Sequence, residues 1–177
     1  YDVLIFPRYH QLEVIRNLRN KVKEEGVGNN YLIQHTTGSG KSYSIGWLSH
    51  TLTSLYRNQD DKTRMFDTIL VLTDRKVLDK QLQGTVSKLE QTEGVVNNVD
   101  VNSQQLKEFL EKGKDIIITT VQKFPVISDT ISKLKGKTFG VIIDEVHSSQ
   151  SGETSRHIKK SLSKQEIEGE DEEVIDY

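Results

Sequence analysis

Three uninterrupted apolar runs leave this chain very few folds. They are Thr68-Ile69-Leu70-Val71-Leu72-Thr73, Asp115-Ile116-Ile117-Ile118-Thr119 and Gly140-Val141-Ile142-Ile143-Asp144. Each has the length of a strand, and none alternates apolar with polar residues. A strand of that kind must be covered on both faces, as when helices pack above and below a parallel sheet. Parallel neighbours also need long crossovers, usually helical. Helical patterns fill the gaps here. Leu78, Leu82, Val86 and Leu89 mark one, and Leu106, Phe109 and Leu110 a second. The second opens on Asn102 with Gln105 three residues later, a capping pattern. Val126, Ile127, Ile131 and Leu134 mark a third, after Pro125 and before Gly136. Val95 to Val101 reads as a short extra strand, Asn58 to Asp67 as a polar surface loop, and Thr154 to Leu162 as helical. The pattern predicts a three-layer α/β fold, a parallel sheet with helices on both faces.

Ligands of such sheets collect at the carboxyl ends of the strands. A first helix is expected from Arg8 to Glu25, with Leu12, Ile15, Leu18 and Val22 on one face and Gly26 and Gly28 as its stop. Tyr31-Leu32-Ile33 reads as the end of a short buried strand. Ile45, Leu48, Leu52 and Leu55 mark one face of the helix beyond it. Between them lies His35-Thr36-Thr37-Gly38-Ser39-Gly40-Lys41-Ser42, a glycine-rich loop closed by Lys-Ser. Glycines let backbone N–H groups turn toward a phosphate without a Cβ in the way. The helix presents its positive end to the same anion. Lys41 can charge-pair with the β- and γ-phosphates, and Ser42 can offer a hydroxyl to Mg²⁺. The loop therefore predicts binding of a nucleoside triphosphate.

Asp144-Glu145 follows the last apolar run. Asp144 stands where a triphosphatase holds Mg²⁺, commonly through water. Glu145 could orient or deprotonate the attacking water, and His147 could couple that state to a neighbour. Arg8 and Gln11 open the first helix; a Gln amide can pair with adenine, but the same spacing suits a capping pair equally well. Thr73-Asp74-Arg75-Lys76 and Thr119-Thr120-Val121-Gln122-Lys123 stand at two further strand ends. Hydroxyls, cations and helix N-termini there suit a phosphate backbone, or routine capping. His10, His35, His50 and His157 show no metal spacing, and His35 reads as a loop-shaping residue. Trp47 and Phe109 read as packing residues.

The chain has 177 residues, enough for one well-buried domain. It contains no cysteine, which excludes disulfides, thiolate catalysis and cysteine–zinc sites. No stretch resembles a membrane span or a signal peptide, and a cytoplasmic setting is expected. The chain opens on Tyr1 and its one methionine is Met65, so it reads as a piece of something longer. The formal charge of −2 hides an uneven distribution. Residues 166–177 hold seven acids and no Lys or Arg; setting them aside leaves 24 basic residues against 19 acidic ones. That tail is expected to be solvated and disordered. Residues 1–165 are mildly basic, which permits phosphate-backbone contacts.

Taken together, these motifs resemble the superfamily 2 helicases and translocases, and more narrowly the motor (R) subunit of type I restriction enzymes. The resemblance rests on Pro7 to Gln11, Gln34 to Ser42, Leu72 to Arg75 with Gln81, Thr119 to Phe124, and Ile142 to Gln150. It implies that residues 1–165 form the first RecA-like lobe of an ATP- and Mg-dependent motor. That motor would translocate double-stranded DNA before cleavage. Arg8 and Gln11 would then recognise adenine, while Thr37, Gly38, Ser39 and Gly40 cradle the phosphates. Thr73, Arg75, Thr119 and Thr120 would lie along the DNA. A nuclease domain, a second lobe, and methyltransferase and specificity subunits are implied outside this chain. Two rival readings stand beside it: a strand-separating DNA or RNA helicase, and a nucleotide-sensing module without turnover.

Overall fold

A computed structural model describes residues 5–36, 38–57, 62–73, 76–89, 94–99, 103–144 and 173–175, with backbone alone at 76–81, 124 and 173–175. The elements run α1 (Tyr9–Glu25), β1 (Tyr31–Ile33), α2 (Lys41–Thr53), β2 (Thr68–Thr73), α3 (Lys76–Lys88), β3 (Val96–Asn98), α4 (Ser103–Lys112), β4 (Ile116–Thr120), α5 (Phe124–Lys133), β5 (Phe139–Ile143) and β6 (Glu173–Ile175). A single 3₁₀ turn, Val121–Lys123, joins β4 to α5. Pro125 falls in the first turn of α5, where its missing N–H costs nothing.

The three apolar runs form the heart of a four-stranded sheet of order β3-β4-β2-β5, all parallel. Leu70 stands level with Ile117 on one side and Val141 on the other. Strand side chains alternate between faces. Ile69, Val71, Ile116 and Ile118 accordingly pack against Ile15 and Leu18 of α1, Ile45, Leu48 and Leu52 of α2, and Leu82 and Val86 of α3. Leu70, Leu72 and Ile117 pack on the other face against Leu106 and Leu110 of α4 and Ile127 of α5. This is the expected three-layer α/β fold. Each fully enclosed aliphatic side chain contributes roughly 1.5–3 kcal/mol of transfer free energy, which is why the runs and not the loops set the topology.

The amino ends of β2, β4 and β5 are tied together. The Asp67 N–H donates to Thr138 O (2.8 Å), and the Thr138 N–H donates back to Asp67 Oδ2 (2.7 Å). Arg64 forms an ion pair with Asp115 just before β4.

Some expectations shift. Val14 and Gln11, not Leu12, complete the buried face of α1. Met65 and Phe66, within the stretch read as a polar loop, are buried under α2 and β2, and Met65 N–H donates to Leu55 O (2.7 Å). The strand before the glycine loop is half-buried and pairs with β6 instead of entering the four-stranded sheet. Its partner, Glu173–Ile175, lies in the tail expected to be disordered. Val174 and Ile175 are the apolar pair that ends the acid run, and their register opposite Leu32 and Ile33 gives β1 a neighbour for its backbone groups. Thr154 to Leu162 and Asn102 lie outside the described residues. No helix among the described residues is long and apolar enough to cross a membrane.

Candidate functional site

Gly40 is the residue around which the glycine loop is built. It caps α2 in the left-handed conformation, φ 86 and ψ 33. A Cβ there would come within 2.6 Å of Gln11 Nε2. Only glycine tolerates both the backbone angle and the approach. The loop closes on itself through Ser39 N–H to Thr36 O (3.1 Å) and Tyr43 N–H to Gly40 O (2.9 Å). The first turn of α2 holds no acidic residue, so its positive end is open to an anion.

The start of α1 grips this loop. Gln11 is 3 % exposed, and both polar atoms of its amide are in use. Its Oε1 accepts from the Arg8 N–H (2.8 Å), while Nε2 donates to Ser39 O (3.2 Å) and Gly40 O (3.0 Å). The expected capping role and a loop-holding role are thus filled by one amide. His10 Nε2 also lies 3.2 Å from Ser39 O, and a carbonyl can only accept, so Nε2 carries the proton. Ser39 Oγ lies 3.2 Å from His35 Nδ1. The two imidazoles stand edge to face, centroids 6.3 Å apart. Arg8, His10, Gln34, His35 and Ser39 line a cavity of about 300 Å³ between α1 and the loop. Burial, His10 and Lys41, in that order, hold the His35 imidazolium pKa below its usual value.

Across the loop, Lys41 Nζ lies 2.8 Å from Asp144 Oδ1. This is an ion pair by distance, yet the ammonium is not aligned to hydrogen-bond that oxygen. Asp144 is 7 % exposed and sits just beyond β5, its N–H donating to Leu72 O (2.8 Å). The parallel register brings Thr73 of β2 level with Thr120 of β4. Alternation turns both, with Asp144, toward the face that carries α2. Thr73 is enclosed and its hydroxyl has no hydrogen-bond partner. Thr119 points to the opposite face, fully buried, and its hydroxyl donates to Val99 O (3.4 Å). Lys123 Nζ donates to the same carbonyl (2.7 Å).

The structure therefore brings Arg8, Gln11, Gly38, Ser39, Gly40, Lys41, Ser42 and Asp144 to one place, with Thr73 and Thr120 beside them. Thr119 is turned away from them. Thr37, Arg75, Glu145 and His147 lie outside the described residues. Sequence reasoning named Lys41 and Asp144 separately but not their contact; it read His35 as shaping the loop but missed the grip of His10 on Ser39. Spacing holds no signal for the Lys41–Asp144 or His10–Ser39 contacts, because both join distant segments. Among the described residues no cluster of three or more His, Cys, Asp or Glu could hold a metal ion.

Comparison with known proteins fits this geometry. Residues 10–169 match the family model described as SWI2/SNF2 ATPase. The chain is 29 % identical over 163 residues to the type I restriction enzyme SsaAORF53P endonuclease subunit of Staphylococcus saprophyticus, covering 90 % of this chain. It is 30 % identical over 162 residues, 89 % of this chain, to the type I restriction enzyme SauCOLORF180P endonuclease subunit of Staphylococcus aureus. The chain spans 16 % of the length of each of these relatives. A RecA-like α/β sheet, a glycine loop at the head of α2, a carboxylate facing its lysine and a family match across most of the sequence agree: the chain belongs to the SWI2/SNF2 ATPase family.

Proposed function

We propose that this chain is the ATP-binding lobe of the motor subunit of a type I restriction enzyme. In that role it helps drive ATP-dependent translocation of double-stranded DNA before cleavage. The observation that carries the reading is the contact between Lys41 and Asp144. It joins the glycine loop to the carboxyl end of β5, the two halves of a triphosphate site. The names of the restriction-enzyme relatives supply the biological setting.

Lys41 would exchange Asp144 for the β- and γ-phosphates when nucleotide enters. Mg²⁺ fits the residues present. Asp144 Oδ1 is buried and receives no hydrogen bond, and the Ser42 hydroxyl opens the same helix. Hard oxygen donors of this kind suit that ion. When bound, Mg²⁺ would neutralise charge developing on the phosphates. Gly38, Ser39 and Gly40, with Thr37, would direct backbone N–H groups at the nucleotide, and Arg8 and Gln11 would meet its base. Glu145 would activate water and His147 would couple that carboxylate to its surroundings. Thr73, Thr120 and Arg75 would face the DNA track, with Thr119 supporting it from behind through Val99. A second lobe, a nuclease domain, and methyltransferase and specificity subunits would complete the cytoplasmic assembly.

Three measurements test this. Lys41→Ala should weaken MgATP binding about ten- to hundredfold, the worth of a charge-assisted contact. In the full-length subunit with its partners, ATP should drive displacement of a third strand from duplex DNA without release of single strands. Release of single strands would favour a strand-separating helicase. Unchanged hydrolysis in Glu145→Gln would favour a nucleotide sensor.

A further inference from the structure

His35 stands in the glycine loop where a small residue would suffice, and it makes a specific contact there. Its Nδ1 lies 3.2 Å from Ser39 Oγ. Ser39 is held a second time, at its carbonyl, by His10 Nε2 and Gln11 Nε2. The backbone of Ser39 is therefore fixed by α1, while its hydroxyl is left to His35. The two histidines respond differently to a proton. His10 donates from Nε2 whether neutral or charged, so its bond survives protonation. The His35 bond reverses where the neutral ring is the Nε2–H tautomer. A neutral ring protonated on Nε2 accepts at Nδ1 from the serine hydroxyl, whereas a charged ring must donate there.

Resting on the phosphate-loop reading above, we infer that His35 is a positioning residue for the bound nucleotide: on taking up a proton it reverses its bond to Ser39 and turns the hydroxyl proton of Ser39 toward the phosphates. The groups that face His35 set the conditions. Arg8 and His10 come from the start of α1 and Lys41 from α2, and among the described residues no acid lines this cavity. In the nucleotide-free site burial, then His10 and Lys41, oppose a charge on His35. Phosphate oxygens offset the charge of Lys41, so nucleotide binding draws a proton onto the ring. By linkage, binding must then strengthen as pH falls.

The test is the pH dependence of MgADP binding to the full chain, wild type beside His35→Asn. Asn places an acceptor near Nδ1 but cannot titrate in this range. Wild-type affinity should rise about three- to tenfold from pH 8 to pH 6, tenfold for each unit by which nucleotide raises the histidine pKa. His35→Asn should flatten that slope. In NMR titrations the His35 ring should titrate at higher pH with MgADP than without. An unmoved His35 titration, or an equal slope in His35→Asn, overturns the inference while leaving the phosphate site standing. Absence of MgADP binding at both pH values overturns the phosphate site itself, and the inference with it.

Discussion

Gln11 holds three backbone groups with one amide, and two of them belong to the glycine loop. For Gln11 to read a base, its Nε2 must let go of Ser39 or Gly40, so base recognition and loop shape are exchanged rather than added. Gln11→Ala should cost about 1–3 kcal/mol, because buried partners are left without hydrogen bonds. Calorimetry should show this as about 2–4 °C in Tm for each kcal/mol. Gly40→Ala should be at least as damaging, since it combines positive φ with a Cβ 2.6 Å from Gln11 Nε2. In Gly38→Ala only the backbone strain applies, because a Cβ there meets nothing within 4 Å. A smaller loss for Gly40→Ala than for Gly38→Ala would contradict the close approach. His35 adds a pH effect on stability. Its folded pKa lies below the unfolded one, so the folded state binds fewer protons and loses stability as pH falls below about 6.5. Denaturant midpoints at pH 7 and pH 5.5 should fall less in His35→Asn than in wild type.

Among elements, the strands were legible and their partners less so. Ile69 to Leu72 and Ile116 to Ile118 are apolar throughout because both faces are covered, and that alone places them in the sheet centre. The apolar face of α2 was equally readable from Ile45, Leu48 and Leu52, all buried, with Leu55 buried just beyond the helix end. Met65 and Phe66 were hidden by Lys62, Thr63 and Arg64 before them, since a two-residue apolar anchor has no periodicity. The β1–β6 pairing was hidden because three residues in an acidic tail carry no strand signal. The Lys41–Asp144 contact depends on the order of strands, which no local pattern encodes. Packing between α2 and α3 gives an element-level prediction. A Cβ on Gly46 would meet only the tip of Leu89, at 2.7 Å, beside Val86. Gly46→Ala should therefore stay within about 1 kcal/mol of wild type, helix propensity offsetting the contact. Gly46→Leu should cost about 1–3 kcal/mol by overpacking. Equal stability of the two variants in urea would argue against this close helix pair.

For the whole molecule, charge and connectivity matter most. Neutralising Glu166, Glu168, Glu170, Asp171 and Glu172 to their amides would move the formal charge from −2 to +3 and leave the residues of β6 untouched. Non-sequence-specific duplex binding should then tighten and fall more steeply between about 50 and 200 mM salt. Unchanged anisotropy titrations would show that the tail does not shield the lobe. Connectivity has a mechanical consequence. Asp67 and Thr138 clasp β2 to β5, and Arg64 and Asp115 clasp the approach to β2 to the approach to β4, all at the end of the sheet away from the glycine loop. Strands tied at one end as well as along their ladder resist shear when the other end is pulled. A push delivered at Asp144 or Thr73 is therefore expected to turn β2, β4 and β5 together rather than slide one past the next.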